Sequence, residues 1–244
     1  MNGLINLVGS GEYLPVMEDT DRYLLESLNL NGRKPRVVCL PTAAGREGDN
    51  SVNRWLNMGV QHFQALGAEV TPVRIIDHET ANDPQWEPVL ENADLIYFSG
   101  GDPGYLYQTM KDSCAWKAAQ RAWERGAIYA GCSAGAMILG KRMPGFRLAG
   151  TQEGFGIVPA TYIVPHFDAI PGIWKPIVFG LQRQLKNGER MIGVDENTAL
   201  VGTLRHSSTG QRGGEWTVKG KSKVHVFTRA GKMSYSDGET LRLD

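Results

Sequence analysis

The chain has 244 residues, 41% of them hydrophobic, enough to bury the core of one α/β domain. Its 26 basic and 26 acidic residues cancel, so the overall balance makes no case for nucleic acid, an anionic membrane surface or a polyanionic substrate. The three cysteines, Cys39, Cys114 and Cys132, are odd in number and widely spaced, which fits reduced thiols in the cytoplasm rather than a disulfide framework.

In chain order, "MNGLINLVGSGE" has no basic segment and only a short apolar run, so neither a leader nor a membrane anchor is expected, and no later stretch is apolar for the roughly 20 residues a span needs. Short β-rich runs follow at 4–8, 36–41, 69–76, 93–100, 126–132 and 161–167, nearly continuous in apolar residues and therefore expected to be interior strands. Between them, 16–29, 50–66, 104–125 and 172–187 carry apolar residues at helical spacing. This alternation predicts an α/β fold with a mostly parallel sheet sandwiched by helices. The last fifty residues change to short alternating strands with Gly-rich turns, so 198–244 is expected as an antiparallel C-terminal β extension of a single domain spanning 1–244. "SSTGQRGGE" (207–215) is expected as a mobile loop.

Gly131-Cys132-Ser133-Ala134-Gly135 matches Gly-x-Ser-x-Gly, with the apolar run "AIYAG" leading in and the helix start "AGAMILGK" leading out. Small residues two positions either side of a nucleophile let the backbone turn sharply, so the side chain points away from the sheet. A Gly-rich packing turn would use the same five letters; the flanking strand and helix favour Ser133 as nucleophile. A cysteine elbow would need glycines at 130 and 134, which are alanines, leaving Cys132 as a small buried residue. Serine needs a base. Of the five histidines, His166 alone ends an apolar strand, in "YIVPHFDAIPG". None has metal-ligand spacing, so no metal is expected. Oxyanion donors are expected from the Ala134 N–H and from the "FSGGDPG" turn, where Gly100 and Gly101 follow a strand. Asp102 in that turn also reads as a helix cap. "GSGE" lacks the full dinucleotide spacing.

Taken together, "LVGSGEYLP", "LPTAAG", "IYFSGGDPGYL", "AGCSAGAM", "GFGIVP…VPHFD" and "GVDENTALV" resemble the peptidase E and cyanophycinase family of serine peptidases, itself built like class I glutamine amidotransferases. The resemblance spans roughly residues 4–202. It implies a serine hydrolase with Ser133 as nucleophile, His166 as base, Gly101 and Ala134 as oxyanion hole, and no cofactor. The substrates it implies are small peptides or isopeptides rich in aspartate. Two alternatives stay open for the acid that orients the histidine: Glu153, between serine and histidine as in characterised members, or Asp168, two residues after the histidine as in the amidotransferases. An extended 166–168 would point both side chains to one face. Glu196 and Asn197 belong to a family-like motif that a turn between strands explains equally well. Where peptidase E has an arginine on the helix after the histidine, this chain reads Pro176-Ile177-Val178. Lys175 and Arg183 are the nearby candidates for a substrate carboxylate, with Gly100 and Asp102 on the opposite turn.

The expected partner is thus a small peptide, with no nucleic acid or membrane, and a homodimer is compatible with the sequence. Two rival readings are a catalytically silent, ligand-binding relative, and glutamine hydrolysis as in the amidotransferases, against which the serine counts.

Overall fold

The computed structural model of the chain describes residues 2–144, 151–172, 175–206 and 212–243, with the side chains of Lys175, Ile177, Arg205, His206 and Arg212 outside that description. Its first half alternates strand and helix: β1 (Ile5–Val8), α1 (Glu18–Glu26), β2 (Arg36–Leu40), α2 (Asp49–Ala65), β3 (Glu69–Pro72), α3 (Trp86–Glu91), β4 (Leu95–Phe98), α4 (Pro103–Met110), α5 (Cys114–Glu124), β5 (Ile128–Cys132) and α6 (Ala134–Met137). The five strands are parallel, in the spatial order β1-β5-β4-β2-β3.

Side chains alternate across a strand, and that alternation divides the core in two. Val38, Leu40, Ile96 and Phe98 pack on one face with Leu106, Met110 and Trp116 from α4 and α5. Val37, Cys39, Leu95 and Tyr97 pack on the other with Leu24, Leu25 and Phe63 from α1 and α2. Both faces of β2 and β4 being covered explains why they read as unbroken apolar runs, whereas β3, in the run 69–76 expected to be interior, is the edge strand and largely exposed. The stretch 104–125, expected as one helix, is two. Asp112 takes a left-handed backbone (φ 61°), and Ser113 restarts the helix by accepting the Trp116 N–H at 3.0 Å.

The second half contains β6 (Arg142–Pro144), β7 (Thr151–Glu153), β8 (Tyr162–Val164), α7 (Lys175–Gln184), β9 (Met191–Val194), β10 (Thr198–Gly202), β11 (Arg205–His206), β12 (Arg212–Gly220), β13 (Lys223–Thr228), β14 (Gly231–Ser236) and β15 (Thr240–Leu243). Strand β10 pairs antiparallel with β1, β12 with β10, and β11 and β15 with β12, completing a nine-stranded sheet. The run at 161–167 does not join it. The edge beside β1 is taken by β10, and β8 instead lies in a second sheet ordered β14-β13-β9-β8. Val178 and Leu181 of α7, with Leu185 just after it, pack onto this second sheet against Tyr162, Val164, Met191 and Phe227. Of the segment expected as a mobile loop, 207–211 lie outside the described residues and 212–215 belong to β12. No helix among the described residues is long and apolar enough to cross a membrane.

A buried polar knot ties β9 to β13 and β14. Asp195 accepts from Ser222 Oγ at 2.7 Å and from the Lys223 N–H at 3.1 Å. Its other oxygen lies 3.1 Å from His225 Nε2, while His225 Nδ1 meets Ser234 Oγ at 2.8 Å. Burial pushes the His225 pKa below its ordinary value of 6.5; the pull of Asp195 opposes this, and Lys232 and Lys223 reinforce it. Above pH 6.5 neither the folded nor the unfolded imidazole is charged. As the pH falls, the unfolded chain takes up the proton first, so stability drops between 6.5 and the lower folded value. Thermal melts from pH 8 to 5 are expected to show this loss, and His225→Gln, less stable at the outset, is expected to show a flatter slope between pH 7 and 5.5.

Candidate active site

The parallel strands place their carboxyl ends together, where open α/β sheets bind ligands. At the end of β5, Ser133 adopts φ 48° and ψ −105°, a strained conformation for a residue with a side chain. The two elbow glycines are needed by contact: a Cβ on Gly131 would lie 2.4 Å from the backbone of Gly135, and one on Gly135 would lie 2.6 Å from the Phe98 carbonyl oxygen. Helix and strand therefore approach more closely than any side chain allows, and the turn between them projects Ser133 away from the sheet.

Beneath the turn, the Cys132 thiol is fully buried and donates to Glu12 Oε2 at 2.9 Å. Burial first, and the neighbouring Glu12 charge second, hold its pKa well above the ordinary thiol value. A thiol that stays protonated and buried is not a nucleophile. The other oxygen of Glu12 accepts the Gly100 N–H at 2.9 Å, so one buried carboxylate joins the first strand's loop to the turn after β4. Gly100 is thereby committed to Glu12. Gly101 (φ 142°) packs so tightly on Ala43 that a Cβ would meet its carbonyl carbon at 2.5 Å, and it lines the cavity beside Ser133. Asp102 is exposed and caps α4, accepting the Tyr105 N–H at 2.9 Å.

His166 follows β8 from the second sheet, yet its Nε2 lies 3.2 Å from Ser133 Oγ. Its Nδ1 lies 2.9 Å from Oε1 of Glu196, in the turn between β9 and β10. An ionised carboxylate can only accept, so Nδ1 carries the hydrogen and Nε2 presents its lone pair to the serine hydroxyl. Of the described carboxylates, Glu196 is the one bonded to the imidazole. Asp168 is not, because the chain does not stay extended after His166. The histidine itself is left-handed (φ 49°), and the Ala169 N–H closes a turn on its carbonyl. Asp168 instead accepts the Glu196 N–H at 2.8 Å and so steadies the loop that carries the carboxylate. Glu153 is exposed in the β6–β7 hairpin, opposite Arg142, and does not line the cavity. Glu196 is held from both sides, by the Asp195 knot before it and by Asn197 after it, whose left-handed N–H (φ 53°) donates to Ser10 Oγ.

Ser133 and His166 open onto a cavity of about 300 Å³ between the two sheets' loops and α7. Arg183 is exposed on α7 and does not line it; Lys175 begins that helix, with its side chain outside the described residues.

A strained serine elbow at the carboxyl end of a parallel sheet, with a histidine on its hydroxyl and a carboxylate on that histidine, defines the hydrolase class of site. The comparisons with known proteins agree. Residues 5–205 match the model of peptidase family S51, and the chain belongs to that family. It is similar to the crystal structure of a peptidase from an acI-B1 Actinobacterium, at 37% identity and a TM-score of 0.84, over 99% of this chain and 97% of that one. It shares its fold with a protein from Listeria monocytogenes EGD-e assigned as peptidase E, at 21% identity and a TM-score of 0.61, over 91% of this chain and all of that one. No curated protein matches the chain.

Proposed function

We propose that the protein is a serine hydrolase that cleaves peptide or isopeptide bonds of small peptides through an acyl-enzyme, with Ser133, His166 and Glu196 as nucleophile, base and orienting acid. The observation that carries this reading is the imidazole held between the Ser133 hydroxyl and the Glu196 carboxylate. His166 Nε2 takes the hydroxyl proton as Oγ attacks the scissile carbonyl, and the Glu196 charge stabilises the imidazolium that forms. The oxyanion is received by the N–H groups of Gly101 and Ala134; as the first residue of α6, Ala134 has no acceptor for its N–H within the helix. The imidazolium then protonates the leaving amine, and water, deprotonated by the same histidine, releases the acid. The cavity volume, about 300 Å³, suits a dipeptide or short peptide.

The test is a mixture of dipeptides and isodipeptides incubated with wild-type protein and with Ser133→Ala, released amino acids being followed by mass spectrometry. Release by the wild type alone is expected. Release by both proteins, or by neither, would remove the assignment, and the second result would favour a ligand-binding member of the family.

A further inference from the structure

The cavity that Ser133 and His166 share is walled by apolar side chains from five separate segments. Met137 comes from α6, Pro144 from β6, Val164 from the end of β8, and Ile170 from the turn after His166; Val178 and Leu181, one helical turn apart, come from α7. Among the described residues lining it, the polar side chains are those of Ser133 and His166, the reacting groups themselves. Met137, Val164 and Leu181 are each less than a tenth exposed, so the walls are parts of packed cores rather than side chains free to swing away.

These walls decide what can sit beside the scissile bond. Once its carbonyl carbon is bonded to Ser133 Oγ, an acyl group carries its own α-substituent into the cavity, while the leaving amine departs past the imidazole. An aspartyl carboxylate placed there would shed its hydration against methyl and methylene groups, with no described cation to receive it. A leucyl, methionyl or phenylalanyl side chain would instead remove apolar surface from water on both sides of the contact.

We propose that the enzyme selects an uncharged, apolar residue of about the size of leucine to phenylalanine on the acyl side of the bond it cleaves, and discriminates against aspartate there. This rests on the serine hydrolase reading above and names its substrate class. The side-chain specificity belongs chiefly to Val178 and Leu181, the two wall residues that α7 contributes.

Two measurements test it. The first compares kcat/KM across dipeptides X-Ala and Ala-X, with X being Leu, Met, Phe, Ala, Asp or Lys. The second measures the rate at which diphenyl α-aminoalkylphosphonates bearing Leu, Phe or Asp side chains label Ser133, read by intact mass, a reaction that needs only the nucleophile and the acyl-side pocket. The expected result is an advantage of about 100-fold or more for apolar X over Asp in X-Ala, with the phosphonates in the same order. Val178→Arg, a half-buried position that tolerates change better than Leu181, is expected to lose about tenfold or more of that advantage and to gain on Asp-Ala. Preference for Asp, equal rates for all X, or selectivity confined to Ala-X would overturn the inference and leave the hydrolase reading standing. Failure of every peptide together with failure of every phosphonate to label Ser133 would overturn both.

Discussion

Ser133→Ala and His166→Ala are each expected to lower kcat by on the order of 10⁴- to 10⁶-fold on any peptide the wild type cleaves, with little change in stability. The size follows from interdependence. A serine hydroxyl without its base is a weak nucleophile, and a base without a nucleophile has nothing to activate, so the double variant should be little worse than either single one. The mild effect on stability has a local reason. Ser133 is the residue before α6, but its side chain makes no capping hydrogen bond, and its Oγ meets His166 Nε2 instead. Alanine therefore leaves no buried donor unpaired, and the thermal midpoint should stay within about 2–4 °C, the shift that roughly 1 kcal/mol produces in a chain of this length. Cys132→Ser supplies the contrast. Its thiol lies under the turn on Glu12, so the replacement should keep activity within about tenfold. Activity surviving Ser133→Ala, or vanishing in a well-folded Cys132→Ser, would show that the nucleophile has been misassigned.

The parts of the site that could be read from sequence are those set by sterics over a few adjacent residues. Gly131 and Gly135 have to be glycine because two backbones touch there, and a pattern five residues long records that requirement. His166 was legible for a weaker reason: a strand end is where a catalytic base belongs, and its apolar run marks a strand without saying in which sheet it lies. The carboxylate was hidden for two reasons. Asp168, one of the two alternatives, needs an extended chain through 166–168, but His166 takes a left-handed backbone that no neighbouring glycine announces. Glu196 stands in a stretch that reads as a plain turn, and it is one; the turn is also what brings the carboxylate across from the second sheet. The parallel core was legible from apolar runs, whereas the break at Asp112 was not, again because a non-glycine residue turns left-handed. A family-like motif at 195–197 carried the missing signal, and only the pairing of β9 with β13 and of β10 with β1 gives it a direction.

Glu196→Gln is expected to lower kcat by about 10²- to 10³-fold with KM nearly unchanged, while Glu153→Gln stays within about twofold of wild type. The amide keeps the shape of the carboxylate but carries no charge to stabilise the imidazolium. It can also rotate to donate to Nδ1, which would move the imidazole hydrogen to Nε2 and leave the serine hydroxyl without an acceptor. The loss should be smaller than for a buried acid, because the side chains of His166 and Glu196 are 44% and 41% exposed and water screens part of the interaction. Asp168→Asn should fall between the two, at about tenfold, since it acts one step removed through the Glu196 N–H. Steady-state kinetics of the three variants on one good substrate, with thermal melts to establish folding, sets the order Glu196, Asp168, Glu153. If Glu153→Gln were the severe loss instead, the β6–β7 hairpin would have to swing onto the imidazole when substrate binds. Glu196 would then be a spectator, and its replacement by glutamine would leave kcat close to that of the wild type.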